Sequence, residues 1–408
     1  VNKKKILIVT SNGGGGQTSI AHALEESLSD TYTIISRSAF TDILYQLDPI
    51  QFLTFGTCVA EDMYNTVSTY KSLWGIHKGL YRLGTWYYRA FFKLIERRFT
   101  EFICDKKIDG VISIIPIINQ PILAACEKAT IPFLIYSPDI NPEMYLEYLN
   151  NVHPKVPCAL AVPAHHPHID ALAHKKQLPS GFVHEVGFPL RSAFKISKDP
   201  IELKKAYDMP LDKPIILALL GSLGSPNLST IAEYLGQIEH PAHLILCTGR
   251  YETVKKTLDK MTFSKHITTT SVGYTKDMYD YMCMSDIFFT KSGSVSVGEA
   301  LYTKIPLLLD ATASVLPWEK FNHGFIEEKG FGKSIKSYAD IPCTIDTLLA
   351  NNSLKLSILH QRLVDYTLKD GNREIKTLLD SLCAQTVVSQ VPSILHTHMQ
   401  NSFEKKKA

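Results

Sequence analysis

The stretch Thr269–Lys333 constrains this chain more than any other, because it carries in order the signals that a parallel α/β sheet requires. An apolar run, Ile287–Thr290, meets a small-residue turn, Lys291-Ser292-Gly293-Ser294. A helical segment bearing one acid, Glu299, comes next, and a second apolar run, Ile305–Leu309, closes the unit. A strand-turn-helix-strand unit leaves free backbone N–H groups and a helix N-terminus at the carboxyl edge of its sheet, where an anionic ligand belongs. Glu299, in the second turn of the helix, can offer its carboxylate to hydroxyls of the same ligand. Phosphate at the turn with a diol at the acid describes a nucleotide.

The same grammar recurs. Residues 6–9 form a continuous apolar run, as a central parallel strand should, followed by Ser11-Asn12-Gly13-Gly14-Gly15-Gly16-Gln17-Thr18-Ser19 and an amphipathic helix from near Ile20 to Asp30. A phosphate-binding P-loop would need lysine where Gln17 stands, and a dinucleotide fingerprint would need glycine at Thr18 or Ser19. Farther on, Pro214–Leu220 runs into Gly221-Ser222-Leu223-Gly224-Ser225 and a helix from Asn227. That turn is a natural pyrophosphate contact through its N–H groups and the helix dipole. His243–Thr248 reads as the next strand. In the first half, Ile108–Ile118 and Pro132–Ser137 read as strands, with Ala124–Lys128 in the helix between them. Asp139 lies just past the second of these, where it either faces the cleft or caps the following helix.

At 408 residues the chain suggests two domains. A formal charge of +3 is too small to argue for nucleic acid. The eight cysteines are scattered without a C-x-x-C pair and read as buried thiols of a reducing cytoplasm. His165, His166 and His168 crowd a loop broken by Pro167, a surface loop rather than a metal site. No apolar run approaches the ~18 residues of a membrane span, and a basic triplet leads straight into the first strand, so no signal peptide is expected. Tyr70–Thr100 stands apart: Lys71, Lys78, Arg82, Arg89, Lys93, Arg97 and Arg98 face one acid, Glu96, and are interleaved with Leu73, Trp74, Tyr81, Trp86, Tyr87, Tyr88, Phe91 and Phe92. Such a segment suits a headgroup layer, with rings at the interface and cations on anionic lipid. A core-packed helix whose cations snorkel into water is the alternative.

These motifs resemble a group of glycosyltransferases: monogalactosyldiacylglycerol synthases, processive diacylglycerol glycosyltransferases and the lipid-linked N-acetylglucosaminyltransferase of peptidoglycan synthesis. The group's donor-site pattern, T-K-x-G-x-x-T/S-x-x-E-A, then Q-E-x-x-N and G-x-G, is met by Thr290-Lys291, Gly293, Ser296, Glu299-Ala300, Glu319, Asn322 and Gly330-Phe331-Gly332, with Trp318 replacing the Gln. Its first loop, S-D-x-G-G-G-H-x-x-S-A, is matched at Ser11, Gly14, Gly15, Gly16 and Ala21, with departures at Asn12, Gln17 and Ile20. Val186–Arg191 resembles the G-x-P-x-R motif that closes the first domain, Gly273-Tyr274 with Met278 matches G-[FY]-x-x-x-M, and Asp139 matches the Asp of T-D-L.

The resemblance, over roughly residues 5–380, implies an α/β architecture of two Rossmann-like domains facing across a cleft, the GT-B type. It implies an acceptor-binding, membrane-associating domain at 1–196, a UDP-sugar domain at 197–384 with 197–213 as its lead-in, and a tail at 385–408. The activity implied is inverting transfer from a UDP-sugar to a lipid hydroxyl at the cytoplasmic face of the membrane, on a protein that is cytoplasmic and peripheral. No cofactor is implied beyond the UDP-sugar substrate, and without an Asp-x-Asp motif no Mg²⁺ requirement. Asp139 is the candidate base, with Gln17 in the place of the group's His. Donor contacts fall to Gly15, Gly16, Gly221, Ser222, Gly224, Gly273, Tyr274, Met278, Ser292, Gly293, Ser294, Ser296, Glu299, Glu319 and Asn322. Membrane contacts fall to Trp74, Arg82, Trp86, Arg89, Lys93, Arg97 and Arg98. Two rivals stay open: a nucleotide-sugar epimerase on the same fold, which would not need vesicles, and a silent binding protein, motivated by Asn12 and Gln17.

Overall fold

A computed structural model describes residues 3–13, 15–48, 50–51, 54, 58–59, 61–62, 77–147, 149, 152–221, 224–312 and 319–386. Two sheets of six parallel strands organise these residues. The first comprises β1 (Lys5–Thr10), β2 (Thr33–Ser38), β3 (Gly110–Ser113), β4 (Phe133–Tyr136), β5 (Cys158–Val162) and β6 (Val183–Glu185), in the order β2-β1-β3-β4-β5-β6. The second comprises β7 (Ile215–Leu219), β8 (Ala242–Gly249), β9 (Ile267–Gly273), β10 (Ile287–Thr290), β11 (Leu307–Asp310) and β12 (Gly332–Ile335), in the order β12-β11-β10-β7-β8-β9.

The continuous apolar runs follow from burial on both faces. In β1, Leu7 and Val9 join the core beneath helices α3 (Phe92–Lys106) and α4 (Asn119–Ala129), whereas Ile6 and Ile8 pack on α1 (Gly16–Leu28). Successive side chains of a strand alternate faces, so such a strand needs apolar residues at every position. In the second sheet the order reverses between β7 and β10, where the chain leaves the sheet in opposite directions. Crevices outside the carboxyl ends of strands at such a switch point hold ligands.

Several expectations change. The run expected to be a strand over Ile108–Ile118 is extended only over Gly110–Ser113, because Pro116 lacks an N–H and Ile117 turns to φ 76°. Pro167 does not hold a surface loop open. It starts helix α5 (Pro167–Lys176) at the position where a missing N–H costs nothing, and the His166 ring nitrogen caps it by accepting from the His168 N–H at 3.1 Å. The lead-in at 197–213 contains helix α6 (Pro200–Ala206). Of the cysteines read as buried, Cys126, Cys247 and Cys383 are so; Cys104 and Cys343 are exposed, as their places on helix surfaces away from either sheet dictate.

The largest correction concerns the domain boundary. The helix at 371–386, expected with the second domain, lays Ile375, Leu379, Leu382 and Cys383 against Ile6, Ile8, Leu24 and Leu28 of the first. Its apolar face completes the cover of β1 that α1 alone leaves open. The tail was expected from 385, but residues 385 and 386 continue this helix, and 387–408 lie outside the described residues.

The domains also share a core. Phe188 and Phe194 from the end of the first pack with Val297, Ala300 and Leu301 of α10 (Ser294–Thr303). A Cβ at Gly298 would fall 2.4 Å from the Phe188 ring, so only glycine lets α10 approach the first domain this closely.

Candidate active site

Between the sheets lies a cleft of about 410 Å³. Its floor is made where chain-end geometry supplies free donors. From the first domain, Gly15, with φ 71°, turns the chain into α1, and Gly16–Ile20 present the first turn of that helix to the cleft. From the second, the carboxyl ends of β7, β8, β9 and β10 contribute Gly221, Gly249, Gly273 with Tyr274, and Lys291 with Gly293–Ser296. The N-terminus of α1 thus faces that of α10, close enough that a Cβ at Gly16 would lie 3.3 Å from Val295. Both helix dipoles direct partial positive charge at the same space. Lys291 adds a full charge at the switch point, its stem crossing over Gly221, where φ is 85° and a Cβ would come within 2.6 Å of the lysine.

Three carboxylates ring this cluster of helix N-termini and Lys291. Asp139 lies beyond β4 and is 9 % exposed. It does not cap the short helical turn Glu143–Leu146, which begins at Pro142 without a side-chain cap; just ahead of it Asn141 Oδ1 accepts from the Glu143 N–H at 3.2 Å. The Asp139 carboxylate instead accepts the Ser294 hydroxyl across the domain gap. Burial pushes its pKa up to about 6, with the Ser294 hydrogen bond opposing and the neighbouring Glu319 charge adding to the rise. Glu299 accepts from Arg191 of the first domain at 3.0 Å. Burial raises its pKa, and the guanidinium works against that. Desolvation likewise raises Glu319, opposed by Lys291 and by a hydrogen bond from Ser292.

The turn itself is braced from behind. Asn322, fully buried on helix α11 (Lys320–Lys329), donates to the Ser292 carbonyl at 2.7 Å and to the Ser294 hydroxyl at 3.1 Å. Gly224 lies behind the cleft wall with φ 84°, where a Cβ would fall 2.0 Å from the Thr248 carbonyl oxygen. Among the described residues no group of three or more His, Cys, Asp or Glu is placed to hold a metal ion.

No protein-family model matches the chain. Single relatives do. The processive diacylglycerol beta-glucosyltransferase of Staphylococcus haemolyticus is 23% identical over 222 residues, 53% of this chain and 56% of that protein. The corresponding protein of Bacillus cereus strain G9842 is 22% identical over 372 residues, covering 86% of this chain and 87% of the relative. The chloroplastic monogalactosyldiacylglycerol synthase of Spinacia oleracea is 22% identical over 398 residues, 94% of this chain and 73% of its own length. The chain spans about half the length of the staphylococcal relatives it matches. Among solved structures, MurG of Acinetobacter baumannii superposes with a TM-score of 0.61 at 12% identity, covering 93% of this chain and 99% of that one. The calicheamicin glycosyltransferase CalG4 gives 0.57 at 13% identity, with 94% and 99% covered. The fold is GT-B, and in sequence the chain is similar to diacylglycerol glycosyltransferases.

The GT-B cleft gathers most of the expected residues. Gly15, Gly16, Gln17, Asp139, Gly221, Gly273, Tyr274, Met278, Gly293, Ser294, Ser296, Glu299 and Glu319 all line it. Ser292 and Asn322 are buried behind the wall and brace it, as Gly224 does. Ser222 lies outside the described residues, as do Gly14 and Trp318. Arg191 and Lys291 line the GT-B cleft without having been assigned a role. Both were visible inside motifs, but only the fold shows that they pair with Glu299 and cross Gly221.

The basic aromatic segment divides. Helix α2 (His77–Ala90) exposes Arg82, Leu83, Trp86 and Arg89 along one face, with Leu83 61 % and Trp86 66 % accessible. Helix α3 instead packs Ile95, Phe99 and Ile103 into the core. Its cations have partners: Lys93 reaches the buried Glu96 at 3.0 Å, while Arg97 and Arg98 both reach Glu101. The charge expected to face lipid from Lys93, Arg97 and Arg98 is thus partly answered within the protein, because Glu101 lies one helical turn beyond. Trp74 lies outside the described residues. Among those residues no helix is long and apolar enough to cross a membrane.

Proposed function

We propose that this chain transfers a sugar, with inversion, from a UDP-sugar to the hydroxyl of a diacylglycerol-like lipid at the cytoplasmic membrane face. One observation carries the reading: a desolvated carboxylate, Asp139, stands beside two convergent helix N-termini and Lys291 in a single cleft. The carboxylate is a base, and the opposite wall is a cradle for a diphosphate. In the step that this supports, the acceptor oxygen attacks the anomeric carbon from the face opposite UDP. The bond from that carbon to the diphosphate breaks, UDP leaves with the electron pair, and Asp139 takes the hydroxyl proton. The α1 and α10 N–H groups and Lys291 stabilise the charge that builds on the departing diphosphate. Glu299 binds the ribose hydroxyls, and backbone near Tyr274 meets the base. Gln17, whose Oε1 is buried without a partner, accepts a hydrogen bond from a substrate hydroxyl and takes no proton.

The similarity to diacylglycerol glucosyltransferases supports the lipid acceptor, and the exposed Leu83–Trp86 face supports docking on a membrane. The metal-independent chemistry proposed rests on the charges just named. Incubation with a panel of UDP-sugars and a total lipid extract, reading sugar-labelled lipid, tests the whole. A silent nucleotide-sugar-binding protein is the second reading, favoured by Gln17 at the histidine position. UDP binding without consumption of any UDP-sugar would select it.

A further inference from the structure

Resting on that reading, we infer that Ser294 is a positioning residue for the base: its hydroxyl locks the Asp139 carboxylate in place and completes the base only when the two domains face each other. The direction of the hydroxyl proton decides the matter. Asn322 spends one N–H on the Ser292 carbonyl at 2.7 Å and the other on the Ser294 oxygen at 3.1 Å. An oxygen that is already accepting presents its own proton outward, and the acceptor within reach is Asp139. Asn322, Ser294 and Asp139 therefore form a one-way chain of donors ending on the carboxylate, with all three residues buried. The first two belong to the second domain and Asp139 to the first, 155 residues away from Ser294. Separating the domains breaks the last link.

The consequence is electrostatic as well as geometric. Burial favours the protonated acid, and the Glu319 charge pushes the same way. Among the described residues, Tyr136 and Tyr145 also face it, and Tyr145 hydrogen-bonds Asp139 as well; Lys291 acts on Glu319 in turn. A hydrogen bond to the ionised form favours ionisation. The Ser294 hydroxyl thus keeps a desolvated carboxylate deprotonated near neutral pH, so that it is both basic and available.

The experiment compares wild type, Ser294→Ala and Ser294→Thr by titrating the carboxyl ¹³C resonances of aspartate-labelled protein, with Asp139→Asn identifying the signal. The Asp139 midpoint should rise by about one pH unit in Ser294→Ala and return in Ser294→Thr, which keeps the hydroxyl. Relative to wild type, turnover of Ser294→Ala should be several-fold lower at pH 6.5 than at pH 8.5. An unmoved midpoint in a folded Ser294→Ala overturns the inference whether or not the protein is active. A midpoint that moves in a protein consuming no UDP-sugar leaves the hydrogen-bond chain standing and removes the transferase reading instead.

Discussion

Glu299→Ala probes the proposed nucleotide site most directly. The side chain is about one-tenth exposed and gives one oxygen to Arg191 at 3.0 Å. A diol donating to this carboxylate makes charge-assisted hydrogen bonds, each worth about 1.5–3 kcal/mol. At about 1.4 kcal/mol per decade, losing one weakens UDP binding by roughly ten- to hundred-fold. Glu299→Gln keeps a neutral acceptor of the same size and should lose only about half of that free energy. Calorimetric titration with UDP and with 2′,3′-dideoxy-UDP reads both quantities, since the wild type should prefer the diol and Glu299→Ala should not distinguish the two. The Arg191 pair requires a control, because removing Glu299 also strands a guanidinium. In an Arg191→Gln background Glu299→Ala should still weaken UDP by about tenfold or more. Unchanged affinity in the single variant, or no further loss in the double, would refute a contact between Glu299 and the ribose.

Asp139→Asn should cost about a hundred- to ten-thousand-fold in turnover while UDP still binds, and Gln17→Ala should cost much less; wild-type turnover by Asp139→Asn removes the base assignment. With Asp139 near 6, kcat/KM should rise with pH through that value and level off above pH 7, so a rate flat from pH 5 to 7 contradicts it. The same shift predicts stability. The native state holds this proton to higher pH than the unfolded chain does, so the contribution is full below about pH 4 and lost as pH rises through about 6. Asp139→Asn should therefore raise Tm at pH 7–8, by an increment worth roughly 1–3 kcal/mol, and leave it little changed at pH 4. Gly298→Ala should drive a methyl into Phe188 and lower stability by about 1–3 kcal/mol, measured by thermal melting. Trp86→Ala with Leu83→Ala should reduce sedimentation with anionic vesicles more than Arg97→Gln, whose guanidinium already meets Glu101; equal losses would return the docking surface to α3.

The strands and glycine turns were legible because their causes are local. Apolar runs such as residues 6–9 can only be buried on both faces, and Gly15 or Gly221 adopts a backbone that other residues resist. Glu299 was legible for the same reason, since helical spacing alone puts it beside the turn. The pairings Arg191–Glu299 and Ser294–Asp139 were not, because they join positions 108 and 155 residues apart whose proximity depends on how two domains dock. The 371–386 helix illustrates the point. Its apolar face is plain in sequence, but nothing in that face says which of two similar sheets it will cover. Pro167 misled because its effect depends on position: inside a helix it breaks the turn, and at the first residue it starts one.

That helix sets the order in which the molecule can be finished. Tyr32 of the first domain donates to Asp380, which is synthesised 348 residues later. At roughly 5–20 residues per second the ribosome needs about 17–70 s to cover that distance. Throughout that interval Ile6, Ile8, Leu24 and Leu28 lack the apolar partners that finally cover them. The first sheet emerges first and is sealed last, and a nascent chain stalled before residue 371 should present that uncovered face to chaperones even with its second sheet complete.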